Sequence, residues 1–197
     1  MTPSVLAALA AFALVTTITP GPNNLMLLAS GANFGFRKTL PHMVGIVVGL
    51  SGLTLVVGGG LMVLFEAYPV LNAWLGAVSA VYLLWLAWKI ASAEPLKERD
   101  SKGKPMTLLQ AAAFQWVNPK AWAMGLSAIT LYAPNQSFVS ALMVVSVFAV
   151  VSFPAISVWA WLGVVVRQWL TSHRRYRIFN VSMALLLIAS LYPVLNI

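Results

Sequence analysis

Thr19-Pro20-Gly21-Pro22-Asn23-Asn24 interrupts a run from Ser4 to Phe36 that carries no charged residue. As a single helix those 33 residues would measure about 50 Å, well beyond the ~30 Å hydrocarbon core of a bilayer. The hexapeptide supplies the break. Two prolines remove backbone donors and obstruct helical bonding, and the glycine between them loosens the chain further. Lipid would not tolerate the carbonyls and N–H groups so freed, which predicts that the break faces protein or a wet cavity.

The rest of the composition fits a bilayer. Of 197 residues, 60% are hydrophobic and only 8% are charged, with a mean hydropathy of +0.87. Soluble domains run near 45–50% apolar and about 25% charged, and they rarely expose large bare apolar patches. A soluble globule is therefore excluded. The chain has no cysteine, which removes disulfides and thiolate metal sites. With two histidines, His42 and His173, and four carboxylates, no metal and no cofactor are predicted.

Six apolar stretches have spanning length: Ser4–Phe36, Pro41–Phe65, Val70–Lys89, Thr107–Leu131, Phe138–Val166 and Ile178–Val194. Arg37 and Lys38 fall between the first two. Lys89, Lys97, Arg99, Lys102 and Lys104 fall at or after the end of the third. Arg167, Arg174, Arg175 and Arg177 fall between the last two. In a six-span arrangement these basic loops all lie on one side, which the positive-inside rule assigns to the cytoplasm, with the N- and C-termini outside. The net charge of +8 is thus read as topogenic, not as a nucleic-acid footprint. Met1–Thr19 lacks the positive flank of a signal peptide and is read as an uncleaved first span. Trp74, Trp88 and Trp169 sit near span ends, as headgroup anchors do.

The polar stretch 91–106 reads as a cytoplasmic linker within one transmembrane domain covering 1–197. It leaves three spans in 1–90 and three in 107–197. An odd number of crossings per half requires any repeat to be inverted. The expected fold is accordingly all-α and polytopic, two inverted three-helix repeats, each opening with a broken helix. The second break is Gln115-Trp116-Val117-Asn118-Pro119-Lys120, close to mid-depth of span four. Paired interruptions at corresponding positions are the pointer to a secondary transporter's substrate site. Pro154 has no polar neighbours and reads as a plain kink. Gly31/Gly35 and Gly45/Gly49 read as small-xxx-small packing faces, within one subunit or across a homo-oligomer. Gly58-Gly59-Gly60 reads as a flexible or closely packed end of span two.

Thr19-Pro20-Gly21-Pro22-Asn23-Asn24 followed by Gly35-Phe36-Arg37 resembles the signature of the lysine-exporter and homoserine–threonine-exporter (LysE/RhtB) superfamily. The likeness continues through Leu84-Trp85-Leu86-Ala87-Trp88-Lys89 and Asn118-Pro119-Lys120, covering both halves in order. Trp85–Ala91 is similar to the cysteine/O-acetylserine exporter group. What the resemblance implies is amino-acid export from the cytoplasm through a bacterial-type inner membrane, driven by proton antiport.

The residues themselves suggest how such a solute is held. The candidate substrate-binding set is Thr19, Pro20, Gly21, Pro22, Asn23, Asn24, Gln115, Asn118, Pro119 and Lys120. Lys120 is the only formal charge within a predicted span core, where a lysine costs at least ~2.5–3.5 kcal/mol. It either attracts a substrate carboxylate or is held by carbonyls freed at the opposite break. Carbonyls near 19–21 and 115–117, with the asparagine amides, suit a substrate ammonium. No Asp or Glu lies in a span, which favours a zwitterionic neutral amino acid over a dibasic one. His42 and Lys120 are the proton-coupling candidates. No nucleophile–base pair or metal motif supports an enzyme. Export of another small solute or ion, or a non-transporting scaffold, are the alternatives.

Overall fold

The structure, a computed structural model, describes residues 1–61, 67–68, 70–93, 104–133 and 137–191. Glu66, Glu94, Glu98 and Asp100, with Lys97, Arg99 and Lys102 of the expected linker, lie outside the described residues. So do the ends of expected spans two and six beyond 61 and 191.

Among the described residues the chain is all helix and turn. Helix α1 is Pro3–Ile18 and α2 is Pro22–Phe34, bent by 59° across the Thr19–Gly21 break. Pro22 starts α2 because its missing N–H falls where no intrahelical partner exists. Helix α3, Phe36–Val56, runs into a π-helical turn at Val57–Leu61, and α4 is Val70–Ala91. The second break separates α5, Leu108–Gln115, from α6, Pro119–Tyr132. Thr107 and Gln110 form a reciprocal capping box at the start of α5. Helices α7, Phe138–Arg167, and α8, His173–Ala189, complete the order.

Two boundaries differ from the sequence expectation. Helix α3 begins at Phe36, not Pro41, because Gly35 takes a φ of 84° and turns the chain at once. Helix α8 begins at His173, not Ile178, because the Ser172 hydroxyl accepts from the Arg175 N–H at 3.3 Å. Arg37, Lys38, Arg174, Arg175 and Arg177 thus sit on opening helical turns instead of in loops. Three stretches are long and apolar enough to cross a bilayer: Phe36–Gly60, Ala73–Ala91 and Phe138–Arg167. The bent α1–α2 pair makes a fourth. The broken α5–α6 pair and the arginine-led α8 do not meet that measure by length and hydropathy alone.

Polarity is inverted relative to a soluble protein. Leu109, Val150 and Val81 are 77%, 74% and 70% exposed, while Thr17, Asn24, His42, Gln115, Asn118 and Asn180 are buried. Trp74, Trp88 and Trp169 are all well exposed, as anchors would be. Small residues set the two tightest crossings. A Cβ on Gly31 would strike the Ala160 carbonyl, and one on Gly163 the Leu28 carbonyl, so α2 and α7 pack almost backbone to backbone. Gly45 and Gly49 meet the Leu108 and Ala112 carbonyls in the same way, joining α3 to α5. Gly35, expected to pair with Gly31 in packing, serves the turn instead. Of the glycine triplet, Gly58 packs against Ala141 and Ile129, and Gly60 turns the chain with a φ of 105°.

Candidate functional site

The α1–α2 and α5–α6 breaks meet inside the bundle. Asn23, on the first turn of α2, and Gln115, at the end of α5, form a reciprocal amide pair. Asn23 Nδ2 donates to Gln115 Oε1 at 2.8 Å, and Gln115 Nε2 donates back to Asn23 Oδ1 at 3.1 Å. Gln115 Nε2 also donates to the Ala111 carbonyl at 2.9 Å, and Asn118 Nδ2 reaches Gln115 Oε1 at 3.4 Å. The wholly buried Gln115 therefore uses both donors and both acceptor positions. Asn118 caps α6, its side-chain oxygen accepting from the Lys120 N–H at 3.2 Å.

Lys120 crosses from the second break to the first. Its Nζ donates to the Thr19 carbonyl at 2.7 Å, to Thr19 Oγ1 at 2.9 Å and to the Pro20 carbonyl at 3.4 Å. The aliphatic stem lies on Gly21, where an added Cβ would come within 2.8 Å of Lys120 Cδ. In this conformation Lys120 is thus held by carbonyls freed at the opposite break. It stands on the first turn of α6.

The remaining freed carbonyls are satisfied too. At the first break Thr16 accepts from the Thr19 hydroxyl at 2.9 Å. Asn24 Nδ2 donates to Thr17 and Thr19, both at 2.7 Å, and Trp159 Nε1 donates to Ile18 at 3.0 Å. At the second break Trp122 Nε1 donates to Trp116 at 2.9 Å, and the Ser79 hydroxyl donates to Val117. Complete pairing explains how Thr19 and Pro20 can lie at the protein surface while Gly21, Pro22 and Asn24 are buried. It also means that carbonyls expected to take a substrate ammonium are occupied here by protein donors.

All ten predicted binding positions are gathered at this junction. Six of them, Gly21, Asn23, Asn24, Gln115, Asn118 and Lys120, line with Thr16, Thr17, Ser152 and neighbouring apolar side chains a cavity of about 20 Å³, room for about one water molecule, and Thr19, Pro20, Pro22 and Pro119 do not line it. This is a closed state: a larger solute fits only if the breaks part. His42 is elsewhere. It lines a separate cavity of about 320 Å³ near the ends of α2 and α4 and is 2% exposed. Neither ring nitrogen has a hydrogen-bond partner among the described residues.

Sequence reading missed the capping donors Trp159, Trp122 and Ser79, and the Thr17–Ser152 hydroxyl contact at 3.2 Å that ties α1 to α7. For Trp122 a signal existed, since an indole a few residues beyond an Asn-Pro break is within reach of the carbonyls that break frees. Trp159→Phe is expected to remove the Ile18 cap and to cost about 1 kcal/mol. An unfolding titration in mixed micelles checks this, and an unchanged midpoint would show the cap to be idle.

A family profile described as LysE type translocator matches residues 14–190. The cysteine/O-acetylserine efflux protein of Escherichia coli O139:H28 (strain E24377A / ETEC) is 34% identical over 193 residues, covering 95% of this chain and 96% of its own length. The proteins of the same description from Escherichia coli strain K12 and Shigella sonnei strain Ss046 are each 33% identical with the same coverage. No solved structure matches the chain.

Proposed function

This chain belongs to the LysE type translocator family, and from that premise we propose that it exports small neutral amino acids from the cytoplasm. Cysteine and O-acetylserine are the first substrates to consider, because the 33–34% identical relatives carry those names, with homoserine and threonine next. The basic helix ends face the cytoplasm and both termini face outward. Helix pairs α1–α2 and α5–α6 each count as one broken span, which makes six spans in two inverted repeats, 1–90 and 107–197, joined by the linker 91–106.

The observation that carries the reading is the Lys120 contact with the Thr19 and Pro20 carbonyls. It is a cation paired with carbonyl dipoles, and a zwitterion is its complement. A substrate carboxylate takes Lys120, and the two carbonyls released from Lys120 take the substrate ammonium. Each polar group keeps a partner through the exchange, and the site gains no net charge. Opening the Asn23–Gln115 pair makes room and offers amides to the substrate's polar atoms. A dibasic amino acid would add an unpaired cation beside Lys120, at a cost of at least ~2.5–3.5 kcal/mol.

Counterflow in liposomes, with labelled cysteine, O-acetylserine, threonine, homoserine and lysine, tests the proposal. At least one neutral amino acid should exchange roughly a hundredfold faster than lysine. Equal or faster lysine exchange would reject the zwitterion argument, and silence across the panel with inserted, folded protein would reject amino-acid export. Protons are the proposed driving ion, with His42 and Lys120 as carriers. If His42→Gln and Lys120→Met variants each transport with an unaltered pH dependence, neither carries the proton.

A further inference from the structure

The cavity of about 320 Å³ takes no part in the substrate exchange at Lys120, although His42, the proposed proton carrier, is on its wall. It is walled by Met26, Ser30 and Asn33 of α2, His42 of α3 and Leu86 of α4, with Lys89, Ser92 and Lys104 also lining it. It lies at the end of the bundle that carries the basic residues. Asn180 of α8 ties two of its lining residues together, accepting from Asn33 Nδ2 and donating to the Ala93 carbonyl, both at 3.3 Å. The cavity is also in line with the helix breaks. On α3, His42 borders the larger cavity and Ile46, one turn on, borders the small one. On α2, Met26 borders the larger and Asn23 and Asn24 the small one.

We propose that this cavity is a loading site, where a small amino acid binds from the basic side before reaching the Lys120 junction, with His42 as its hydrogen-bonding anchor. The proposal rests on the export reading. Two independent observations carry it: a built cavity of small-molecule size, and a buried imidazole on its wall with no hydrogen-bond partner among the described residues. A buried imidazole left unbonded is costly, and a neutral ring offers one donor and one acceptor to an occupant. Among the described residues the cavity is lined by Lys89 and Lys104 and by no carboxylate, so the occupant's carboxylate is drawn to the lysine side. The apolar wall of Met26, Leu86 and Met106 suits a short, uncharged side chain. Ile46, 2% exposed, and Met26, 4% exposed, stand between this site and the amides of the closed junction, so they must move for the solute to advance.

The chain lacks cysteine, which permits a direct test. Ser92→Cys puts one thiol on an exposed part of the cavity lining, and Ser4→Cys puts a control thiol at the exposed start of α1. Each is reacted in oriented liposomes with an impermeant methanethiosulfonate supplied to the face that its thiol occupies, alongside wild-type counterflow. A neutral amino acid at ten times half-saturation should slow labelling of Ser92→Cys about tenfold, since about a tenth of sites remain free, and should leave Ser4→Cys unchanged. His42→Leu should raise half-saturation from the basic side about tenfold and leave that from the opposite side unaltered, with His42→Gln restoring most of it. If the wild type exchanges the amino acid but Ser92→Cys is unprotected, the loading site is wrong and the export reading stands. If the wild type exchanges none, both fall. Repeating the labelling in neutral and in anionic lipid covers the other source of a matching anion. Protection that follows lipid composition instead of the amino acid would assign the cavity to a headgroup and overturn the proposal.

Discussion

Lys120→Met is expected to yield a folded, inserted protein whose counterflow of a neutral amino acid falls at least about a hundredfold. The size follows from removing one partner of a desolvated charge-assisted contact, which costs about 3–5 kcal/mol where the other charge is left unpaired. In the proposed cycle that unpaired charge is the substrate carboxylate, present only when the substrate is bound. The resting protein loses much less. The Thr19 carbonyl keeps its bond from Asn24 and the Thr19 hydroxyl still donates to Thr16, so the hydroxyl oxygen and the surface-lying Pro20 carbonyl lose the lysine donor, a loss of at most about 1–3 kcal/mol. Transport and stability should therefore separate, and counterflow beside an unfolding titration of the same sample reads both. Lys120→Arg keeps the charge but replaces a compact ammonium with a planar head, and an intermediate rate is expected. Gly21→Ala probes the contact from the other side. Its Cβ would sit 2.8 Å from Lys120 Cδ, so the stem must shift, and half-saturation should rise. A folded Lys120→Met protein exchanging within a few-fold of wild type would confine Lys120 to holding the first break.

The contrast between Lys120 and His42 shows what the sequence can disclose. Lys120 is legible because a lone charge in an apolar span has few affordable places, and an adjacent Asn-Pro names the place. Both breaks are legible for the same reason: proline and glycine act on their own backbone, so their effect needs no knowledge of the fold. The satisfaction of the freed carbonyls depends on the fold. Trp159 is distant in sequence from Ile18, and Ser79 from Val117, and each pair meets only because α7 packs on α1–α2 and α4 approaches the second break. No local pattern marks those two side chains. His42 was visible as a histidine near the start of a span, but its separation from the Lys120 junction is a matter of helix packing. Glycine spacing misled once for a related reason. Gly31 and Gly35 have the same i, i+4 spacing as Gly45 and Gly49, yet Gly35 falls at the helix end, where a positive φ decides its use.

The Asn23–Gln115 pair supplies a test in which stability and transport should move in opposite directions. Gln115→Leu leaves Asn23 facing an apolar side chain and removes the bonds to Asn118 and Ala111, and Asn23→Leu leaves the wholly buried Gln115 short of two of its four bonds. Each single variant is expected to lose about 2–4 kcal/mol, the desolvation cost of an amide whose partner is gone. In the double variant the two facing amides are both replaced by apolar groups of similar size, which can be nearly neutral. Only the bond to the Ala111 carbonyl and the long 3.4 Å bond from Asn118 stay lost. A coupling energy of about 1–3 kcal/mol should therefore restore much of the stability. Transport should not return, because opening of this pair is what offers polar groups to the substrate, and two leucines offer none. Unfolding titrations on the four proteins give the coupling, and counterflow gives the activity. Additive losses would mean the two amides do not act as a unit. A stable double variant that exchanges a neutral amino acid at the wild-type rate would make the pair a structural clasp and move substrate recognition wholly onto Lys120 and the carbonyls it now holds.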